Sequence, residues 1–194
     1  MIGIVDYGCG NLRSLENALE ALALPHRRVS TPGGVLEAGR LILPGVGHFG
    51  HAGRELRARG LEAPLRERAA MGRPLLGICL GMQLLFEGSD EAPDVPGLAL
   101  VAGRCGAFDA PGLKVPHMGW SAVDFGDRAL AAYFVHSYRI PAFPAERPAQ
   151  ALGMAAYGEP FLAAFRSGPL GGFQFHPEKS GKAGLALLGE ALTW

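Results

Sequence analysis

The sequence predicts an α/β fold: a doubly wound, mostly parallel sheet that carries an antiparallel extension. In the first half, apolar runs rich in β-branched residues alternate with amphipathic helical segments, a pattern typical of parallel sheets covered by helices. In the second half, short β-like runs follow one another between Gly and Pro residues, which favours antiparallel pairing. A chain of 194 residues with 48% hydrophobic residues can bury one sizeable core, so we expect residues 1–194 to form a single domain.

Composition excludes several classes of function. The formal net charge is zero and the chain has no basic run, so nothing indicates a nucleic-acid or membrane surface. No apolar stretch approaches the ~18 residues of a membrane helix and the start lacks a signal-peptide pattern, so we expect a cytoplasmic protein. The three cysteines form no C-x-x-C pair, which argues against disulfides and a zinc site; we expect no metal and no cofactor. These cysteines are Cys9, Cys79 and Cys105.

The first unit is a strand, a glycine turn and a helix. Residues 2–5 are apolar and β-branched, and helical spacing of leucines predicts a helix over residues 11–22 with Asn11 as its N-cap. A dinucleotide-binding turn is excluded because Arg13 stands where the third glycine of that motif belongs.

The next strand, residues 40–43, runs into a loop rich in glycine and proline over residues 44–50. Uncovered backbone N–H groups beside a strand end suit an oxyanion hole, although an ordinary tight connection fits equally well. Amphipathic segments follow at residues 51–59 and 61–71, and we expect their Arg and Glu residues to face solvent. His48 and His51 lack a third metal ligand at sensible spacing and are interpreted as surface histidines.

Residues 74–86 predict a buried strand that turns at Cys79 into a helix with an apolar face. Gly77 and Gly81 flank the cysteine at the spacing of a nucleophile elbow, where small neighbours permit a sharp turn. The positive end of a helix favours a thiolate over a thiol, so Cys79 is a candidate nucleophile. The alternative is a buried structural cysteine.

A cysteine nucleophile needs a base, and that base needs an orienting group. Residues 171–175 predict a strand that ends at His176, since Pro177 cannot continue a central strand. Glu178 lies two residues on and can reach back to the imidazole. His136 competes for the role of base but has no acidic neighbour in the sequence.

After a polar segment at residues 87–96, expected to be a surface loop, the second half predicts more strands and a last helix over residues 181–192. Met118 and Trp120 lie in a segment bounded by Gly and Pro that we expect to be a loop, where they either form a docking surface or pack into the core. The predicted strands are residues 98–102, 120–125, 133–140, 151–157, 160–165 and 171–175.

Six motifs together resemble the glutaminase subunits of imidazole glycerol phosphate synthase, a family of class I glutamine amidotransferases. The resemblance spans nearly the whole chain. The cysteine elbow and the His-Pro-Glu segment are common to all class I members, and the other motifs point to the histidine-pathway family. The motifs are DYGCGN (6–11), LPGVG (43–47), GICLGMQ (77–83), PHMGW (116–120), YFVHSY (133–138) and FHPEK (175–179).

The resemblance implies a three-layer fold, in which helices cover both faces of a central mixed, mostly parallel sheet with an antiparallel extension. It implies a catalytic triad of Cys79, His176 and Glu178, in which the cysteine attacks the side-chain amide of glutamine. It also implies an oxyanion hole and a substrate site. The oxyanion residues are Val46, Gly47 and Leu80, and the substrate residues are Gly45, Gly47, Gln83, Ser137 and Tyr138.

The resemblance further implies a partner: a (βα)8-barrel cyclase subunit that receives ammonia within a heterodimer and forms imidazole glycerol phosphate and aminoimidazole carboxamide ribotide. We expect Asn11, Met118, Trp120 and Lys179 to face it. Flexibility at Gly45 and Gly47 suggests that the oxyanion loop flips when the partner's ligand binds. Alternatives are service to the anthranilate or pyridoxal phosphate synthases, a non-catalytic scaffold, and a general thiol hydrolase.

Overall fold

The structure, a computed structural model, describes residues 1–109, 111–145, 147 and 149–193. The helices are α1 (Leu12–Ala21), α2 (Pro32–Glu37), α3 (Phe49–Ala58), α4 (Glu62–Ala70), α5 (Leu80–Leu84) and α6 (Gly181–Ala191). The first six strands are β1 (Ile2–Val5), β2 (His26–Val29), β3 (Arg40–Leu43), β4 (Leu75–Ile78), β5 (Gly88–Ser89) and β6 (Arg104–Ala107). The last six are β7 (His117–Asp124), β8 (Ala129–His136), β9 (Tyr138–Arg139), β10 (Ala151–Tyr157), β11 (Glu159–Ser167) and β12 (Leu170–Phe173).

A nine-stranded mixed sheet organises the molecule, in the order β2-β1-β3-β4-β12-β11-β10-β7-β8. Strands β2, β1, β3, β4 and β12 run parallel, and β11, β10, β7 and β8 continue the sheet antiparallel. A small second sheet has the order β5-β6-β9. Strand β12, the last in the chain, lies directly beside β4. The mixed sheet with its antiparallel extension is confirmed.

Two apolar cores cover the two faces of the large sheet. Residues of α2, α3, α4 and α5 build one core, and residues of α1 and α6 build the other. Helix α1 follows the prediction closely: Asn11 is its N-cap and accepts a hydrogen bond from the Ser14 N–H. The helices therefore lie on both faces, and the three-layer expectation is confirmed.

The prediction that α4 presents its Arg and Glu residues to solvent is wrong for Arg68, which is fully buried. Its guanidinium donates hydrogen bonds to the carbonyl oxygens of Val35, Ala38, Gly39 and Pro74, at 2.7 to 3.2 Å. Burial lowers the pKa of Arg68 to about 10. A charged side chain can be buried here because backbone carbonyls replace water around it.

The structure also differs from the prediction in three segments after residue 86. Residues 98–102 form no strand; their backbone N–H groups at Leu98 and Leu100 instead bond to the carbonyls of Leu84 and Leu85 at the end of α5. The predicted strand 133–140 is broken at Ser137, because β8 and β9 pair in different sheets. Within the expected surface loop 87–96, strand β5 is buried.

Among the residues that the structure describes, no helix has both the length and the apolar character needed to cross a membrane. No group of three or more His, Cys, Asp or Glu side chains in this part of the chain could hold a metal ion.

Candidate active site

Cys79 lies on a strained elbow between β4 and α5. Its backbone has φ +55° and ψ −114°, an uncommon conformation for a residue with a side chain. Its backbone N–H bonds to the carbonyl of Phe173 in β12 at 2.7 Å, and its carbonyl accepts the N–H groups of Met82 and Gln83. Neighbouring elements thus hold the elbow from both sides. The sequence-predicted elbow is present.

The glycines on either side of Cys79 are required by close packing. A Cβ atom on Gly77 would lie 2.6 Å from the Met82 backbone, and one on Gly81 would overlap the carbonyl oxygen of Leu43. Neither glycine has a positive φ, so both serve to let backbones approach rather than to permit an unusual turn.

His176 follows β12 and therefore lies beside the elbow at the end of β4. Its Nδ1 atom is 2.7 Å from Glu178 Oε1, and both side chains are buried. The carboxylate accepts a hydrogen bond from the Nδ1–H, which leaves Nε2 as the nitrogen available for proton exchange. The structure thus brings together the histidine and the glutamate that the sequence paired.

Burial disfavours the imidazolium of His176, but its interactions with the Cys79 sulfur and with Glu178 outweigh burial and raise its pKa to about 10. Within the described residues, His176 Nε2 makes no hydrogen bond of ordinary length. Catalytic hydrogen bonds often tighten only when substrate binds. The electrostatics favour an imidazolium beside the sulfur at neutral pH, as a thiolate nucleophile requires.

The loop after β3 packs against the elbow at one end and is open at the other. A Cβ atom on Gly45 would lie 2.8 Å from both the Tyr7 hydroxyl and the Gly81 nitrogen, so Gly45 is wedged. The Tyr7 hydroxyl donates to the Pro44 carbonyl at 2.8 Å. Gly47 has φ +96° and open space around it, and Val46 is exposed. Close packing thus holds Gly45 in place, and the expected flip of this loop has room only around residues 46–47.

A pocket of about 270 Å³ opens beside Cys79. Gly45 is not among the residues that line it, because it packs against Tyr7 and α5. Sequence reasoning missed Glu91, whose Oε2 accepts the Phe49 N–H at 2.7 Å. Among the described residues it is the one acidic side chain in the lining. The predicted residues that do line the pocket are Val46, Gly47, Cys79, Leu80, Gln83, Ser137 and Tyr138.

His136 also lines the pocket, but its two nitrogens are occupied. Nδ1 lies 2.9 Å from the Tyr138 carbonyl and Nε2 lies 3.1 Å from His117 Nδ1. Burial lowers the pKa of His136 to about 3, so the ring is neutral. In the part of the chain that the structure describes, His136 has no carboxylate partner, and both of its nitrogens are engaged, so it is less suited than His176 to act as the base.

The four residues expected to face a partner are all exposed, although two are not in loops. Met118 and Trp120, 63% and 58% exposed, lie on the same face of β7. Trp120 is opposite Tyr133, whose carbonyl accepts the His176 N–H at 2.9 Å. A narrow cavity of about 10 Å³ is lined by Asn11, His176 and Glu178 among others. Lys179 follows Glu178 directly. Asn11, Trp120 and Lys179 thus lie close to His176 in the structure or in the sequence, and Met118 shares the strand face of Trp120.

Comparison with known proteins agrees with this geometry. A family model described as "Glutamine amidotransferase class-I" matches residues 4–190. The imidazole glycerol phosphate synthase subunit HisH of Deinococcus radiodurans is 46% identical over 95% of this chain and 89% of its own length. The chloroplastic imidazole glycerol phosphate synthase hisHF of Arabidopsis thaliana is 44% identical, and the match covers 97% of this chain but 33% of that longer protein.

A solved glutamine amidotransferase shares the fold, with a TM-score of 0.80 at 21% identity, over 99% of this chain and 97% of that chain. The chain therefore belongs to the class I glutamine amidotransferases, and within them to the family of glutaminase subunits of imidazole glycerol phosphate synthase.

Proposed function

We propose that the chain is a single glutaminase domain that hydrolyses glutamine to glutamate and ammonia at Cys79 and supplies the ammonia to a cyclase partner. The observation that carries this proposal is the buried His176–Glu178 pair at 2.7 Å beside a cysteine on a strained elbow. A cysteine, a histidine and an orienting carboxylate are the groups required for acyl transfer through a thioester.

The chemistry has two halves. The Cys79 thiolate attacks the side-chain amide carbon of glutamine, and His176 gives its Nε2 proton to the departing nitrogen, so that ammonia leaves and a glutamyl thioester remains. His176, now neutral, takes a proton from water, which attacks the thioester and releases glutamate and the thiolate. In both halves the negative oxygen is held by the Leu80 N–H and an N–H of residues 46–47, each worth about 3 kcal/mol.

The residues that line the pocket suit the α-ammonium and α-carboxylate groups of glutamine. Glu91, fixed by the N–H of Phe49 at the start of α3, places a negative charge in the pocket for the α-ammonium group. Backbone groups of Ser137 and Tyr138, after the strand break, contribute polar contacts for the carboxylate end. The break that sequence analysis missed is therefore what turns the backbone toward the substrate.

The partner follows from the fate of ammonia, which is mostly protonated in water at neutral pH and then no longer nucleophilic. We infer that the cyclase is a (βα)8 barrel that docks as a heterodimer over Asn11, Met118, Trp120 and Lys179. The longer Arabidopsis thaliana relative is named hisHF, so its name joins HisH to a second part within one chain. The three cysteines are free and buried, which suits the reducing cytoplasm where we place the protein.

Glutamate release by the purified chain tests the activity, measured alone and then with the cyclase subunit and its nucleotide ligand. We expect little release alone, strong stimulation in the mixture, and none from Cys79→Ala. Brisk turnover alone without any response to the cyclase would leave the cysteine chemistry standing but contradict the partner. Broad ester or peptide turnover without preference for glutamine would indicate a general thiol hydrolase instead.

Binding measurements test the docking face. Trp120→Ala and Lys179→Ala should weaken binding of the cyclase subunit and reduce its stimulation. The matched controls Met71→Ala and Arg27→Ala change exposed residues elsewhere on the surface, and they should leave binding unchanged. Met71 precedes β4 and so lies at the end of the sheet opposite Cys79. Equal affinities for all four variants would place the partner elsewhere.

A further inference from the structure

A buried series of hydrogen bonds connects the pocket beside Cys79 to the cysteine sulfur. Gln83 Nε2 lies 2.8 Å from the Tyr138 carbonyl oxygen and 2.9 Å from Gln174 Oε1. Gln174 Nε2 in turn lies 3.9 Å from Cys79 Sγ. Gln174 is fully buried, and a buried amide is retained only where its polar atoms have partners.

The Tyr138 carbonyl oxygen fixes the direction of each hydrogen bond that links Gln83, Gln174 and Cys79. The Tyr138 carbonyl can only accept, so the side-chain nitrogen of Gln83 must face it. That nitrogen also faces Gln174, which must therefore present its oxygen to Gln83. The remaining NH2 group of Gln174 is then directed at the sulfur, as a donor.

We infer that Gln174 is a positioning residue that donates an N–H to the Cys79 thiolate and couples it to Gln83 in the substrate pocket. The inference deepens the function proposed above and rests on Cys79 as the nucleophile. Besides His176, the sulfur also faces the Val135 carbonyl at 3.8 Å, which can accept from a thiol but repels a thiolate. The N–H of Gln174, as a second donor in addition to His176, offsets that repulsion and helps to keep the sulfur ionised and in place.

The backbone of β12 and its extension sets the position of Gln174. Its N–H bonds to the Ala163 carbonyl at 2.8 Å, and His176 follows two residues later. One short segment thus carries both the base and the donor. The titratable groups that act on the sulfur or its histidine are His176, Glu178, Tyr7 and His136, and a substitution at Gln174 replaces none of these side chains.

The test is the pH profile of Cys79 alkylation by iodoacetamide, quantified at that residue by mass spectrometry. Gln174→Glu keeps the size and the acceptor for Gln83 but replaces the donor with a carboxylate. Gln174→Met removes the donor without adding charge. The matched control is Gln150→Glu, because Gln150 is exposed and its side-chain oxygen, which glutamate retains, accepts the Gly168 N–H.

We expect the pH of half-maximal alkylation to move upward in Gln174→Met and further upward in Gln174→Glu, and to stay in place in Gln150→Glu. With the cyclase present, kcat/KM for glutamine should fall about tenfold in Gln174→Met, the effect of losing one hydrogen bond to a charged group. Unchanged profiles in folded Gln174 variants would overturn the inference.

A measurement on the unaltered chain does not depend on how the variants fold. In ¹⁵N-labelled protein, the side-chain amide signals of Gln174 should shift when Cys79 is alkylated; signals that do not move would also overturn the inference. Failure of Cys79 to react with iodoacetamide at any pH would instead contradict the proposed nucleophile, so the two failures are distinguishable.

Discussion

Gly81 lies directly against the carbonyl oxygen of Leu43, so closely that a Cβ atom on the glycine would overlap that oxygen. The contact joins α5, the helix after Cys79, to β3, the strand that precedes the loop of residues 44–47. Gly81→Ala must therefore push β3 and α5 apart. We expect the free energy of unfolding to fall by about 3 kcal/mol and glutamine turnover to be lost.

Gly33→Ala is the matched control, because a Cβ atom there meets nothing within 4 Å. Its free energy of unfolding should stay the same or rise by up to about 1 kcal/mol, since the unfolded chain loses freedom. Denaturant titration measures both variants. If Gly81→Ala is as stable as Gly33→Ala, the close approach of the two backbones is wrong.

Glu178→Gln tests the orientation of His176. The amide is isosteric but removes the charge that stabilises the imidazolium, so kcat for glutamine should fall about 100-fold or more while the fold is kept. Glu190→Gln alters an exposed carboxylate paired with Arg128 at 2.8 Å and should keep full activity. The measurement is the rate of glutamate release in the presence of the cyclase subunit and its ligand. A Glu178→Gln enzyme that keeps more than half of the original kcat would show that the carboxylate is not needed for catalysis.

Arg68→Met tests the buried guanidinium. The change leaves carbonyl groups of residues 35, 38, 39 and 74 without their donor, and we expect a loss of about 3 kcal/mol in the free energy of unfolding. Arg13→Met, at an exposed position of α1, should change it by less than about 0.5 kcal/mol. Similar values for the two variants in denaturant titrations would show that the carbonyls find other partners.

Acid should destabilise the protein through two buried histidines. Burial lowers the pKa of His117 to about 4 and that of His136 to about 3. Above pH 6.5 both rings are neutral whether or not the chain is folded. Below pH 6.5 the unfolded chain binds protons that the folded chain does not. The free energy of unfolding therefore decreases as the pH is lowered, by up to about 1.4 kcal/mol per pH unit for each histidine.

His117→Phe isolates this effect, since the ring is stacked between Phe134 and Tyr157 with centroids 4.8 and 4.1 Å away. The variant should show a shallower decline in unfolding free energy between pH 6.5 and pH 4. His51→Gln changes an exposed histidine and should keep the original slope. Identical slopes in all three proteins would mean that other groups cause the acid sensitivity.

Local sequence patterns predicted what depends on spacing along the chain. The glycines around Cys79 and the short offset from His176 to Glu178 predicted the elbow and the 2.7 Å contact, because strand ends and tight turns are specified by a few adjacent residues. The N-cap of α1 at Asn11 was predicted for the same reason.

Features that depend on distant segments were not predictable. Arg68 has the appearance of a surface residue, and only the carbonyls gathered from other elements explain its burial. Glu91 lines the pocket while its carboxylate accepts the first N–H of α3, and Gln174 forms its hydrogen bond with Gln83, a residue far away in the sequence. The break at Ser137 arises because the two strands on either side belong to different sheets.

The position of β12 has a consequence for how the protein is made. The strand enters the sheet between β4 and β11, and the elbow N–H of Cys79 bonds to Phe173 within it. On the ribosome, the cysteine emerges long before the strand and the histidine that complete its surroundings. We therefore expect nascent chains that end before Glu178 to hydrolyse no glutamine and to release no ammonia.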